Sequence, residues 1–174
     1  MNLKTMNIQI TAMKKDGKKA LFILLATLIL ITIVEAVTSI TVTGSWSLSI
    51  GQADLTGGAG SELTSPYTSA TDEATLGVSG TLGNSWIISV MRIDTTWYED
   101  FRLRVKRTNN GTSGSGSYSG GTTFLTLTTT DQTFMTGAGN RTGFTLQFRL
   151  AGVSTAIPAE SYSTTIRYTI VQTS

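Results

Sequence analysis

The 174-residue sequence contains no cysteine and no histidine, and its only prolines are Pro66 and Pro158. It therefore cannot form a disulfide, a Ser-His or Cys-His nucleophile pair, or a zinc site with the usual ligands. We expect no enzyme and no cofactor. If the chain is exported, where disulfides normally form, its stability must come from sheet packing or from neighbouring subunits.

Acidic residues are few, eleven in all, and scattered. The pairs Asp72-Glu73 and Glu99-Asp100 lack the spaced Asp/Asn pattern of a calcium loop, so we interpret them as solvated turn carboxylates and expect no metal site. Two carboxylates are enough for glycoside hydrolysis, but no pair in this sequence is singled out for that role.

An apolar run covers residues 21–34, follows four lysines at positions 14, 15, 18 and 19, and ends in Val34-Glu35-Ala36. A basic segment, a short apolar core and small residues before a cleavage point are typical of a signal peptide. We therefore predict that residues 1–36 are removed after Ala36. The alternative is a retained anchor, although a membrane-spanning helix needs about 20 apolar residues. Met13-Lys14-Lys15 has the form of an ordinary secretory start, which leaves Met13 open as the true start.

Removal of this leader changes the charge balance. Residues 37–174 hold eight basic and nine acidic residues, whereas the whole chain carries a formal charge of +2. The total charge therefore gives no reason to expect a nucleic-acid partner. We expect contact with a membrane only during export.

The remaining 138 residues are rich in Thr, Ser and Gly and show repeated two-residue alternation. This pattern predicts strands separated by turns. The predicted strands are Val37–Ile50, Ala74–Val78, Trp86–Ile93, Phe101–Lys106, Thr123–Thr129, Phe144–Leu150 and Tyr162–Ile170. Turns are predicted at Gly-rich segments, among them 109–121 and 137–140. We expect one all-β domain, an Ig-like or jelly-roll sandwich over residues 51–174, preceded by an N-terminal strand at 37–50.

The sharpest charge cluster is the row formed by Arg102, Arg104, Lys106 and Arg107. Such a row can bind a phosphate backbone or an anionic surface. No aromatic residue alternates with these cations to stack bases, so we favour an exposed strand face whose charges discourage edge aggregation or pair with acids on an adjacent strand or subunit.

Two sequons, Asn110-Gly111-Thr112 and Asn140-Arg141-Thr142, lie in predicted loops. Asn110 and Asn140 are therefore candidate glycosylation sites, although chance matches are frequent in so Thr-rich a chain.

The N-terminal strand and the C-terminal segment Ile157-Pro158-Ala159-Glu160-Ser161-Tyr162-Ser163-Thr164-Thr165-Ile166-Arg167-Tyr168-Thr169-Ile170 carry a resemblance. The ending is similar to the P-x-x-x-Y-x-x-T-[IV]-x-Y-T finish of many fimbrial-type β-domains. With the cleavable leader and the cysteine-free sandwich, the layout resembles secreted donor-strand filament subunits such as archaeal bundling pilins and the TasA and camelysin matrix fibre proteins.

The resemblance implies a secreted homopolymer at the cell surface, in contact with surface glycans or neighbouring cells. Each subunit would insert its N-terminal strand into the sandwich of the next. The inserting side chains would be Ile40 and Val42, continuing to Trp46, with Gly44 as a hinge. The alternative is that this segment is the first strand of a self-contained domain.

Two other functions stay open. One is a type IV pilin-like subunit, processed after Gly17 so that a helix is retained, although Phe22 stands at the fifth position, where such subunits usually have Glu. The other is a monomeric adhesive or carbohydrate-binding module that uses Trp86, Trp97 and Tyr98 as stacking platforms.

Overall fold

The computed structural model describes residues 38–173, so the predicted signal peptide at 1–36 lies outside the described residues. Ten strands occur in this region: β1 Ser39–Gly44, β2 Tyr67–Thr68, β3 Ala74–Ser79, β4 Ser85–Thr96, β5 Arg102–Arg107, β6 Ser117–Gly120, β7 Leu125–Thr126, β8 Gln132–Ala138, β9 Arg141–Ala151 and β10 Ser163–Thr173. One turn of 3-10 helix covers Gln52–Asp54. Among the described residues, no helix has the length and apolarity needed to cross a membrane.

The strands form two antiparallel sheets. Sheet 1 has the order β1-β3-β9-β5-β7, and β2 pairs with the far end of β9. Sheet 2 has the order β10-β4-β8-β6. The two-sheet, all-β fold predicted from the sequence is confirmed.

The core lies between the inner faces of both sheets. Because side chains alternate along a strand, every second residue of each long strand points inward. The fully buried members, each less than 2 % exposed, are Leu76, Val78, Trp86, Ile88, Val90, Val105, Met135, Phe144 and Leu146. Sheet 2 supplies Trp86, Ile88, Val90 and Met135, which pack in one cluster with the sheet 1 residues.

Strict alternation predicted the long strands well. The segments predicted at 74–78, 101–106, 144–150 and 162–170 correspond to β3, β5, β9 and β10. The doubly apolar segment 86–93 lies within β4, which is paired on both sides, with β10 and β8. The prediction for Thr123–Thr129 was too long, since only β7 forms a ladder there.

Two strands lie where turns were predicted. β6 lies inside the predicted 109–121 loop, and β8 extends through Gly137 and Ala138. At Gly137 a Cβ would overlap the indole ring of Trp86, so the glycine makes room for a buried tryptophan. The turn between β8 and β9 therefore narrows to Gly139 and Asn140.

Candidate functional site: the N-terminal strand and the faces of the sandwich

β1 is an edge strand of sheet 1, and within residues 38–173 its one ladder partner is β3. Its register sets Ile40 opposite Val78, Val42 opposite Leu76, and Gly44 opposite Ala74. Since those β3 partners are core residues, the three β1 residues point toward the core. On the outer side, hydroxyls bond across the two strands, Ser39 with Ser79 at 2.9 Å and Thr43 with Thr75 at 2.6 Å.

The inward side chains of β1 are covered far less than those of β3. Leu76 is 1 % exposed, whereas Val42 directly opposite is 38 % exposed. Ile40 is half-buried and packs against the core. The apolar face of β1 is thus incompletely covered by its own chain.

Gly44 ends the strand in a conformation that favours glycine. Its φ is +125°, and an added Cβ would lie 2.6 Å from the Ala74 Cα and from the Glu73 carbonyl oxygen. The backbones of β1 and β3 therefore meet here at a distance that excludes a side chain. This explains the glycine without testing its predicted role as a hinge.

The strand predicted to run through Ile50 ends at Gly44, so that part of the prediction is wrong. Residues 45–50 lie outside every ladder of the described chain, although their apolar and polar residues still alternate. Trp46 is half-buried and stacks on Phe148, with ring centroids 6.4 Å apart and an interplanar angle of 13°. Leu48 and Ile50 are 39 % and 37 % exposed. Residues 45–50 therefore have the alternating sequence of a β-strand but pair with no other strand of the described chain.

The beginning of β1 meets the end of β10. Thr38 Oγ1 donates a hydrogen bond to Gln172 Oε1 over 2.5 Å. β1 and β10 are edge strands of different sheets, so the two sheet edges lie side by side here. Release of β1 would therefore uncover the edge of β3 beside β10.

The predicted cationic row divides between the two faces of β5. Arg102, Arg104 and Lys106 alternate with the core residues and point outward, but Arg107 is only 8 % exposed. Its guanidinium donates to the carbonyls of Gly120 and Asn109 and to Asn110 Oδ1, and it lies over the Tyr118 ring. The expected four-residue exposed row is therefore wrong at Arg107, because alternation turns that residue inward.

No acidic residue lies opposite these cations on β9 or β7, so the predicted pairing with acids on an adjacent strand is not found, and pairing with acids of another subunit stays a prediction. Arg104 lies opposite Arg149 of β9, and Lys106 lies opposite Gln147. Phe124 lies between two of the cations, 4.7 Å from Lys106 Nζ and 4.1 Å from Arg149 Cζ, both measured to its ring centroid. Sequence inspection missed Arg149 and Phe124 because both are distant from β5 along the chain.

Both candidate glycosylation residues are exposed, and each uses its amide oxygen internally. Asn110 Oδ1 accepts from Arg107 at 2.9 Å. Asn140 Oδ1 accepts from the Thr81 N–H and hydroxyl, each at 3.0 Å. Arg141 donates to the Asn110 carbonyl at 3.0 Å, so the two sequons lie at one end of the sandwich.

The expected aromatic platform does not form. Trp86 is 1 % exposed and donates its indole N–H to the Gly139 carbonyl at 2.8 Å, so it belongs to the core. Trp97 and Tyr98 pack against Phe101, with centroids 5.2 Å and 5.9 Å away. A sugar cannot stack on Trp86, and the three aromatics share no flat surface.

Among residues 38–173, no three acidic side chains come together in a way that could hold a metal ion. The perturbed titratable groups are tyrosines. Burial raises the pKa of Tyr168, whose hydroxyl has no hydrogen-bond partner within the described chain. Burial, with a smaller contribution from Asp54, also raises the pKa of Tyr67. Neither residue belongs to a cluster of acid, base and nucleophile.

No family model, no curated protein and no solved structure matches this chain.

Proposed function

We propose that the protein is a secreted structural subunit of an extracellular filament and polymerises by inserting its N-terminal strand into the sandwich of the next subunit. The observation that carries this proposal is the incomplete coverage of β1. Val42 points toward the core opposite the buried Leu76 and still leaves 38 % of its surface exposed. An inward apolar residue at a sheet edge is most stable when a further surface covers it.

Exchange would preserve the existing pairing. β1 of one subunit would take the place of β1 in its neighbour, with the same register against Val78, Leu76 and Ala74, and the body of the donor subunit would cover the part of Val42 that is exposed in the single chain. Backbone hydrogen bonds of such an added strand supply affinity, and alternate side chains in pockets supply specificity. The close approach at Gly44 would then form between two chains.

The segment at 45–50 also favours assembly. It alternates Trp46, Leu48 and Ile50 with serines, yet it has no ladder partner within the described chain. An alternating strand with unpaired backbone groups readily pairs with another chain. In the filament this segment would lie near the joint between subunits, which offers its backbone groups a partner.

Three measurements on the exported protein test this proposal: its N-terminal residue, its native mass, and electron micrographs of negatively stained material. Val37 at the N terminus, with filaments, is the expected result. Lys18 at the N terminus would indicate the pilin-like alternative with a retained helix. A stable small species without filaments at high concentration would indicate the monomeric module. Either of these results contradicts strand exchange.

A matched pair of variants tests whether β1 forms the contact between subunits. Val42→Asp places a carboxylate on the inward face, and Thr41→Asp places it on the outward face, opposite Gly77. Burying an unpaired charge between subunits costs several kcal/mol, roughly enough to prevent docking. We expect Val42→Asp to fold but form no filaments, and Thr41→Asp to form them. Filaments from both variants, or loss of cooperative melting in Val42→Asp, would show that β1 serves only its own domain.

A further inference from the structure

The outer face of sheet 1 carries a row of side chains that crosses four strands. Thr68 of β2 lies opposite Arg149 of β9, Arg149 lies opposite Arg104 of β5, and Arg104 lies opposite Thr126 of β7. With neighbouring strands about 4.8 Å apart, the row spans roughly 14 Å. Lys106 lies two residues from Arg104 on the same outward face of β5. We call this row together with Lys106 and Phe124 the basic face.

The charges of the basic face are not neutralised by the chain. Within residues 38–173 the ion pairs are Arg92 with Asp94 and Arg167 with Asp131, and neither reaches this face. The Nε atoms of Arg104 and Arg149 are buried and have no hydrogen-bond partner in that part of the chain, so only the outer ends of these side chains are open to a ligand. Like charges directly opposite in a ladder are destabilising. The cations of the basic face therefore have no acidic partner among residues 38–173.

Phe124 restrains the cations without neutralising them. Lys106 Nζ and Arg149 Cζ both lie within 5 Å of its ring centroid, at distances typical of cation–π contacts. Such restraint reduces the side-chain entropy that binding would otherwise remove. The basic face is thus partly pre-organised for an anion.

We propose that the basic face binds an acidic polysaccharide, with the guanidinium groups of Arg104 and Arg149 holding its carboxylates. Guanidinium forks match carboxylates with two parallel hydrogen bonds. The threonine hydroxyls at both ends of the row match the hydroxyls of the neighbouring sugar units. A sheet face suits an extended chain, and two depressions of the described surface, about 470 Å³ beside Ser85 and about 340 Å³ beside Thr41, lie elsewhere.

The same features argue against a nucleic acid as the occupant. Single strands bind by stacking their bases on aromatic rings. The Phe124 ring already makes cation–π contacts with Lys106 and Arg149, so it is not free to stack on a base. A carboxylate polymer, by contrast, needs no stacking surface and can be held by guanidinium groups alone.

The test measures binding of the exported full chain to immobilised polygalacturonate, with neutral dextran as the reference polymer. We expect binding to polygalacturonate that weakens steeply with salt, and none to dextran. Arg149→Gln and Arg104→Gln should each weaken binding by about tenfold through the loss of a charge-assisted pair. Arg167→Gln removes the same charge from an exposed position on sheet 2 and should change binding by less than about twofold.

The remaining outcomes decide against the proposal. Equal binding by Arg149→Gln, Arg104→Gln and the parent chain would place the contact elsewhere on the protein. Equal binding to dextran would show that charge is not recognised. Tighter binding to a duplex oligonucleotide at the same salt, lost in the same two variants, would make the face a nucleic-acid surface. Should either glutamine variant fail to melt cooperatively, Lys106→Gln provides an independent test, and unchanged binding in that variant would overturn the proposal. Comparing the variants at equal filament content separates these results from filament assembly.

Discussion

The side-chain oxygen of Asn140 accepts two hydrogen bonds from Thr81. One comes from the Thr81 N–H and the other from the Thr81 hydroxyl, and each is 3.0 Å long. Thr81 is 1 % exposed, so both of its donors depend on this amide. The contact joins the turn after β3 to the turn between β8 and β9, and thereby connects the two sheets at one end of the sandwich.

Asn140→Ala should lower the free energy of unfolding by about 1–3 kcal/mol, because it leaves two buried donors of Thr81 without a partner. Protein made in a host without N-glycosylation separates this effect from loss of a glycan. Asn84→Ala changes an exposed asparagine nearby and should cost less than about 0.5 kcal/mol. Urea unfolding followed by tryptophan fluorescence measures both, and equal effects would contradict the role assigned to Asn140.

Gly44→Ala should destabilise the β1–β3 pairing by about 1–3 kcal/mol, since alanine is strained at this φ and its Cβ would meet the Ala74 backbone. If the same pair forms between subunits, filament yield should fall as well. Gly51→Ala is the matched control, because nothing lies within 4 Å of its added Cβ. Comparable melting temperatures for the two variants would show that β1 does not hold this register.

Arg107→Ala should cost about 3 kcal/mol or more, because it removes a buried cation that holds the Gly120 and Asn109 carbonyls and the Asn110 amide. Arg104→Ala, on the outward face of the same strand, should fall within about 0.5 kcal/mol of the parent chain, since it relieves the like charge of Arg149. Thermal unfolding by circular dichroism compares them. A similar loss from both would mean that the two faces of β5 are not distinguished in this way.

Tyr168→Phe should reduce the alkaline sensitivity of the fold. Burial raises the pKa of Tyr168 in the folded state, so its contribution to stability is complete below the unfolded value of about 10 and is lost as pH rises above it. The phenylalanine variant should be as stable as the parent at pH 7, or more stable by about 1 kcal/mol, because the hydroxyl has no partner. Its stability should then fall less between pH 9 and pH 11. If the free energy of unfolding changes with pH in the same way for the variant and the parent, the Tyr168 hydroxyl does not contribute to the alkaline sensitivity.

Alternation in the sequence predicted the strands that have one apolar and one polar face. β5 and β9 follow it residue by residue, because inward positions such as Leu103 and Phe148 must be apolar to fill the core. Alternation also predicts that Arg107 points inward, because it follows Leu103 and Val105 at two-residue spacing. The prediction of an exposed Arg107 was wrong because it grouped this residue with the neighbouring cations by charge.

Other features depend on contacts between distant parts of the chain. Gly137 lies in a strand because Trp86 needs the space, a requirement that a glycine-rich segment does not reveal. Phe124 and Arg149 join β5 only through the pairing of β7 and β9 with it. The end of β1 at Gly44 likewise follows from its approach to Ala74, whereas the apolar alternation continues to Ile50 without interruption.

The pairing of β1 with β3 inside one chain has a kinetic consequence for the proposed filament. A closed monomer and a growing end compete for the same six residue pairs, so neither gains from the ladder itself. A strand tethered to its own sheet acts at an effective concentration on the order of millimolar. Newly exported subunits should therefore stay closed while dilute, and growth should show a lag, a concentration threshold and acceleration by preformed seeds.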